Sequence, residues 1–395
     1  MARILFLCSR PPYPPVDGAR VRMYNLATLL AEDHDVDVVA ISKGGESERP
    51  DNEFKRYKVF TEHWSRFYAR GIRSLLSSDP LQCGAYFSTD MKRWVDRHVD
   101  EYDLVYCTHL ATAKYATDTD QKKVIDFVDA VSKNFEEFVD DSSYPWRLIY
   151  RIESRRVGRY EQTVSSLFDA CFITTKTDRS ASQAEDVTVI PNGVSQDLLD
   201  RNRHHPDENM IAFLGDLSYL PNASAVEWFV EKVIPILDSF EVDFSFQIVG
   251  KSPPQKIRKL GERPEIEVTG FVDDPYDYVQ QSAVSVVPVQ IGGGIQNKVL
   301  ESMALGTPVV TTTFGATGID ARDEEHFLVR DSPEEFANGV CTLFEEPEFA
   351  RELSARSHDL IQRKYTWESI GEKLDRQITD VLNRDCEERP PEVGI

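Results

Sequence analysis

A chain of 395 residues with 41% hydrophobic and 10% aromatic content has enough apolar mass for two ordinary α/β domains. Its 45 basic and 67 acidic residues leave a net charge of −22, which excludes bulk nucleic acid as a partner, because that contact needs a strong positive field. No run approaches the roughly 20 apolar residues that span a bilayer. The six cysteines (Cys8, Cys83, Cys107, Cys171, Cys341 and Cys386) are scattered without a C-x-x-C pair, arguing for a reducing compartment and against a zinc site. The charge is unevenly shared: residues 1–190 carry 26 basic and 30 acidic groups, net −4, and residues 191–395 carry 19 and 37, net −18. Beyond a generic acidic surface, this balance fits a salt-rich, halophilic and archaeal cytoplasm, where ions screen self-repulsion.

In chain order, ARILFLC reads as a buried first strand rather than a signal peptide, and ARVRMYNLATLLAED as a helix. DVDVVAIS, DLVYCTHL, KKVIDFVD, ACFITT and VTVIPN continue a strand series with helical segments between them. Strand–helix alternation with near-continuous apolar strands predicts a parallel sheet covered on both faces. The second half starts afresh: NMIAFLGD is a strand, and NASAVEWFVEKVIPIL is a helix with apolar spacing of three and four. FSFQIVG, IEVTGFV, AVSVVPV and TPVVTT are further strands, and KSPPQKIRKLGERP is expected to be exposed. The break lies near Pro191–Asn192–Gly193, with 195–209 as a linker. The predicted fold class is α/β, two Rossmann-like domains with parallel sheets and a cleft between them. The tail EERPPEVGI is expected to be disordered.

Residues 291–310, IGGGIQNKVLESMALGTPVV, place three glycines between the end of a strand and the start of a helix that stops at Gly306. In parallel sheets ligands bind at that end. A helix N-terminus offers unpaired N–H groups to an anion, and glycine lets phosphate approach the backbone. Lys298 would add a point charge. Glu301, three residues on and on the same face, would accept hydrogen bonds from sugar hydroxyls. The alternative is a tight loop followed by a Lys298–Glu301 surface pair.

Other residues point to the first half. His109 follows a strand, and its imidazole suits proton transfer from an acceptor hydroxyl; a structural histidine is the alternative. Asp126 and Asp129 end another strand, as acceptor-binding groups or a general base, Asp129 alternatively as a helix cap. In WRLIYRIESRRVGRY, Arg147, Arg151, Arg155 and Arg159 recur every fourth residue beside Trp146, Ile149, Tyr150 and Ile152. On a helix they would form one cationic face, suited to anionic lipid or a lipid-phosphate acceptor, unless neighbouring acids pair with them. RFYARGIRSL (66–75) would extend that surface.

The ordered set FLCSRPPYPPVDGARVRMYNL, DFVDAVS, WRLIYRIESRR, PNGVS, FLGDLSYLPNASAVEWF, IVG, VTGFVDD, GGGIQNKVLESMALGTPVVTT and YTWESI resembles the family 4 glycosyltransferases of the GT-B fold, in particular the bacterial and archaeal sugar transferases with a GIQNKVLE segment. The similarity runs along nearly the whole chain. It implies an N-terminal acceptor-side domain over 1–190 and a donor domain over 191–362. A final helix, 363–384, would cross back to the first domain, followed by the tail 385–395. It implies transfer of a sugar from a UDP- or GDP-linked donor without a metal or other cofactor. Gly292, Gly293 and Gly294 would cradle the diphosphate, with Ile295, Gln296 and Asn297 opening the helix. Lys298 would neutralise the leaving phosphate and Glu301 would hold the ribose. Phe271 and Val272 would meet the base. Gly18 would face the phosphates from the first domain, and Gly215 and Lys251 join the donor set.

Three positions depart from the family. Gly293 stands where one of two acids eight residues apart is common, which leaves the retaining outcome open. Asp216 and Pro221–Asn222 stand where an arginine and a lysine usually bind phosphate, so that charge is expected from Lys298, with Lys251 or with Arg20 and Arg22. The reading is a hexosyltransferase-type, metal-independent glycosyltransferase, peripheral on the inner face of the cell membrane. Its acceptor would be a dolichol- or polyprenyl-linked glycan in surface-polysaccharide or protein N-glycan assembly. The alternatives are a GT-B nucleotide-sugar epimerase and a non-catalytic nucleotide-sugar-binding subunit.

Overall fold

A computed structural model describes residues 1–44, 48–50, 53–63, 65, 70, 71, 74, 79–141, 143–201, 207–291 and 294–384. Gly292, Gly293, most of RFYARGIRSL, Cys386 and the tail 385–395 lie outside the described residues. The chain forms two compact units, Met1–Pro191 with Ile370–Ile395, and Asn192–Ser369.

The first unit is built on seven parallel strands: β1 (Arg3–Cys8), β2 (Asp35–Ser42), β3 (Arg56–Thr61), β4 (Leu104–Thr108), β5 (Lys122–Asp126), β6 (Ala170–Ile173) and β7 (Val187–Val189). Their order in the sheet is β3-β2-β1-β4-β5-β6-β7. Ile4, Leu5, Phe6 and Leu7 are fully buried, as a strand covered on both faces requires. The strand β3 was not anticipated: RYKVFT is half-buried along most of its length and carries two charges, so it lacks the apolar run that marked the others.

The second unit repeats the pattern with β8 (Asp207–Leu214), β9 (Ser245–Val249), β10 (Ile266–Gly270), β11 (Ser282–Val287), β12 (Val309–Thr311) and β13 (Leu328–Val329), all parallel. Their order is β10-β9-β8-β11-β12-β13. Phe229 packs at 4.8 Å from Phe246 and 5.8 Å from Phe336 between ring centroids, tying its own helix to β9 and to the neighbouring helix Pro333–Glu345. The helix predicted over NASAVEWFVEKVIPIL runs from Leu220 to Ser239 but passes through a π-helical turn at Phe229–Val233. Residues 195–209 are not a free linker. Gln196–Leu199 is a helical turn with Leu198 and Leu199 buried, and β8 begins at Asp207. KSPPQKIRKLGERP likewise contains a short helix, Gln255–Arg258, that buries Ile257.

The two sheets share one topology: the chain winds outward from a central strand, then returns to its other side. The order therefore reverses between β1 and β4, and again between β8 and β11. At such a switch point the connections leave in opposite directions and open a crevice at the strands' C-terminal ends.

The last helix, Trp367–Asn383, buries Ile370, Leu374, Ile378 and Val381. Lys122 donates from Nζ to the carbonyls of Val381 and Leu382 at 2.9 and 2.8 Å and also to that of Arg384. It thereby satisfies carbonyls that a helix end leaves free. Gly371 lies so close to Leu29 that a Cβ would stand 2.8 Å from its Cδ2.

Arg22 and Asp126 overturn two sequence expectations. Arg22 donates from Nε and Nη2 to the two oxygens of Asp126 at 2.7 and 3.0 Å, and from Nη1 to the carbonyl of Pro191 at 3.1 Å. Both side chains are 1% exposed. Asp126 is thus a fixed counter-ion, not an acceptor-binding group or general base, and Arg22 is not available to a donor phosphate. Removing one member strands the other charge, which costs about 3–5 kcal/mol. Asp126→Ala should therefore lower the stability of the first unit by about that amount in urea unfolding. A loss below about 1 kcal/mol would show that the pair holds nothing together.

Candidate functional site

In the second unit β11 runs out at the strand-order reversal and leads into the glycine turn. Gly294 has φ +71°, a conformation that disfavours other residues. The helix Asn297–Ala304 begins directly afterwards, and its N-cap residue, Gln296, makes no side-chain capping bond. The Asn297 side chain is engaged elsewhere, accepting from Asn192 Nδ2 at 2.8 Å. The first-turn amides thus lack a capping side chain at the positive end of the helix, the arrangement that receives anions. Ile295 is 7% exposed and belongs to the hydrophobic core. It anchors the turn, leaving only its backbone for a ligand.

Lys298 and Glu301 do not form the surface pair that their spacing permits. Lys298 donates from Nζ to Asn222 Oδ1 at 2.7 Å and to Gln296 Oε1 at 3.2 Å, and lies 5.8 Å from the Phe213 ring centroid. Among the described residues no carboxylate lies within ion-pair distance of it. Desolvation lowers its pKa to about 8, with Glu301 opposing that shift. Glu301 instead accepts from the Tyr276 hydroxyl at 3.3 Å. Burial raises its pKa, while Tyr276 and Lys298 pull the other way. Arg201 lies 5.5 Å from the Tyr276 ring centroid and pairs with Asp274 and Asp277 at 2.7 and 3.1 Å. An ammonium held by two neutral amides and a carboxylate held by a neutral phenol can meet a ligand's anion and its hydroxyls respectively.

The remaining donor-side residues separate. Phe271 is 76% exposed after β10, an aromatic face open to stacking. Val272 is partly buried against the core. Lys251 is paired with Asp216 at 3.4 Å. Against partial burial, which would raise it, the Ser218 hydroxyl and amide and then Lys251 hold the Asp216 pKa below its usual value. Gly215 packs against Asn222, where a Cβ would stand 2.8 Å from Nδ2. Gly18 opens the helix Gly18–Asp33, whose N-cap Asp17 accepts from the Arg20 amide and pairs with Arg20 Nε at 3.3 Å. The acid occupies that helix end, and Arg20 already has a partner.

In the first unit the loops after β1 and β4 meet at the other reversal point. Ser9 Oγ lies 3.1 Å from His109 Nδ1. His109 has φ +63° and ψ +148°, a strained backbone of the kind that gathers at functional sites. Burial and then Arg10 lower its pKa to about 4, with Asp126 opposing, so the ring is neutral at pH 7. Asp129 is half-buried, and its carboxylate has no hydrogen-bond partner among the described residues. The following helix starts at Val131, so Asp129 is not its N-cap. Burial, then the charges of Asp178 and Asp126, raise its pKa to about 7 against the pull of Arg22. It can therefore hold or release a proton at neutral pH.

Helix Trp146–Leu167 turns its two acids inward. Glu153 pairs with Arg156 at 3.1 Å, and Glu161 accepts from the Ser132 hydroxyl at 2.7 Å. Arg147, Arg151, Arg155 and Arg159 all face outward and are exposed, with no acidic partner among the described residues. Trp146, Leu148 and Ile152 are 57%, 50% and 42% exposed, and Tyr144 just before the helix is 82% exposed. Tyr150 lies 6.4 Å from Trp146 and 6.1 Å from Phe135 between ring centroids.

Asn222, Tyr276 and Ser9 were not singled out as site residues. Asn222 registered only as a missing lysine, and nothing in PYDYV marks Tyr276 as the partner of an acid 25 positions on. Among the described residues no group of three His, Cys, Asp or Glu could hold a metal ion, and no helix is long and apolar enough to cross a membrane.

Comparison with known proteins places the two halves of the chain among glycosyltransferases. Residues 16–198 match the model "Glycosyltransferase Family 4", and residues 208–346 match "Glycosyl transferases group 1". An uncharacterised 44.6 kDa protein in the cps region of Klebsiella pneumoniae is 20% identical over 95% of this chain and 100% of its own length. An uncharacterised glycosyltransferase of Methanocaldococcus jannaschii is 25% identical over 42% of this chain and 44% of its own. Sucrose-phosphate synthase from Thermosynechococcus elongatus superimposes with a TM-score of 0.71 at 15% identity, covering 96% of this chain and 99% of that one. Anabaena HepE in complex with UDP and glucose gives a TM-score of 0.67 at 15% identity, covering 96% and 100%. The chain belongs to the GT-B-fold glycosyltransferases, with a family 4 first half and a group 1 second half.

Proposed function

We propose that this protein transfers a hexosyl group from a UDP- or GDP-sugar to a lipid-linked glycan, in surface-polysaccharide or protein-glycan assembly, without a metal. The observation that carries the donor side is the separation of Lys298 from Glu301 at an uncapped helix N-terminus. That HepE is described with UDP and glucose, and the Klebsiella relative with a cps region, supports the donor and the pathway class. In the reaction the bond from the anomeric carbon to the phosphate oxygen breaks, and its electron pair leaves with the nucleoside diphosphate. Lys298 and the helix amides stabilise that growing charge, which is where fixed donors accelerate a reaction most. Glu301 holds the ribose hydroxyls and Phe271 lies against the base. The acceptor oxygen forms the new bond and gives up its proton; within the first unit Asp129, with its pKa raised to about 7, is the group fitted to take one. His109, neutral and fixed by Ser9, positions the acceptor.

Lys298→Ala should weaken UDP or GDP binding and reduce sugar transfer from the corresponding donor to a lipid extract by about 100-fold or more. The sign with pH follows from the lowered pKa of Lys298, about 8. Below pH 8 the ammonium is present and affinity is level; as pH rises through 8 affinity falls, and binding draws a proton from solution. Calorimetry in buffers of different ionisation enthalpy reads both. Unchanged affinity in the variant would sink the donor assignment. Isomerised donor without transfer would point to an epimerase instead.

The lipid-linked acceptor and a position on the inner face of the cell membrane are supported by helix Trp146–Leu167. Its outward face is cationic, flanked by exposed apolar side chains and empty of acid, in a chain of net charge −22. Each arginine near an anionic surface contributes about 1 kcal/mol. Changing Arg151, Arg155 and Arg159 to Glu should therefore cut binding to phosphatidylglycerol-containing vesicles by about 100-fold or more, with UDP and GDP binding unchanged. Equal flotation of variant and parent would remove the membrane from the proposal.

A further inference from the structure

The departure at Asn222 acquires a role once its contacts are followed. Its Nδ2 donates to the backbone carbonyl of Asp216 at 2.9 Å, and that bond fixes which way the amide points. Oδ1 is thereby turned to Lys298 and accepts from Nζ at 2.7 Å. Asn222 is 6% exposed, so water does not compete freely for the amide. The amide reaches this position only because residue 215 has no side chain: a Cβ there would stand 2.8 Å from Nδ2 and 3.0 Å from Cγ. Lys251 and Asp216 neutralise one another next door at 3.4 Å. Among the described residues the titratable groups that act on Lys298 are Glu301 on its own helix and, beyond it, Tyr276, which holds Glu301.

An amide oxygen orients an ammonium without neutralising it, whereas a carboxylate would do both. We propose that Asn222 is a positioning residue: it aims Lys298 at the donor's phosphates while leaving the cation free of a counter-ion, and Gly215 is glycine to admit that amide. The inference rests on the donor reading given above and assigns to these two residues a function other than phosphate contact. With Lys251 paired to Asp216, the site depends strongly on the placement of Lys298.

The test compares Asn222→Asp, Asn222→Ala and Gly215→Ala with the parent and Lys298→Ala, titrating each with UDP and GDP between pH 6.5 and 9.5. Asn222→Asp puts a carboxylate against the ammonium. It should weaken nucleotide binding by about tenfold or more, the usual scale for a charge-assisted contact diverted, and move the fall in affinity to higher pH because the paired lysine keeps its proton longer. Asn222→Ala and Gly215→Ala should weaken binding at every pH without that upward move. Far-UV spectra and thermal unfolding monitor folding. If Asn222→Asp does not fold, the proposal stands or falls on Gly215→Ala, which must weaken binding by about tenfold. Loss of binding in Lys298→Ala with parental affinity and pH profile in Asn222→Asp would overturn this inference alone. No effect in Lys298→Ala would overturn the donor reading beneath it.

Discussion

A cation kept apart from a nearby acid is the constraint around which the second unit's site is arranged. Lys298 and Glu301 are three residues apart on one helix face, a spacing at which opposite charges ordinarily meet. Here each is taken by a neutral partner on a different segment, Asn222 before β9 and Tyr276 before β11. Had they paired, the ammonium's charge would be cancelled at close range and the carboxylate would offer fewer free lone pairs to a ligand. Burial moves the pKa of each toward its neutral form, and the attraction that remains between them opposes that shift.

The first unit solves the opposite problem. Arg22 and Asp126 lie together near the strand-order reversal and cancel fully, with both oxygens and three guanidinium nitrogens used. The chemistry left at that end falls to groups the pair does not absorb: a neutral His109 fixed by Ser9, and Asp129, whose carboxylate has no hydrogen-bond partner among the described residues. Both units reverse strand order at the same point in their topology, so both expose their loops there. One gathers an ammonium and helix amides of a kind suited to an anion; the other gathers groups of a kind suited to holding or releasing a proton.

Much of this was legible in the sequence. Continuous apolar strands specify a parallel sheet without further information, and the strand–glycine–helix passage at 282–304 marks where a strand gives way to a helix N-terminus. The arginine period of four also predicted an outward cationic face, because helical spacing alone decides which residues share a side. What stayed hidden depends on contacts distant in sequence. Asp126 looked like a free acid at a strand end, because its partner lies 104 residues earlier. Asn222 looked like the absence of a lysine, because its bond to Lys298 spans 76 residues. β3 and β13 were missed because an edge strand needs little apolar content and a two-residue strand shows no period.

The division of the chain bears on how the protein is made. Unit 2 is a continuous piece of sequence, Asn192–Ser369, whereas unit 1 needs a last helix encoded after it. During synthesis the seven-stranded sheet is therefore finished long before the segment that covers Leu29 and caps itself on Lys122 leaves the ribosome. The nascent first unit must wait with that surface bare through some 180 residues of translation, at about 5–20 residues per second. Its solubility in that interval rests on the net charge of its own residues or on chaperones. Expression of the middle piece alone carries no such delay.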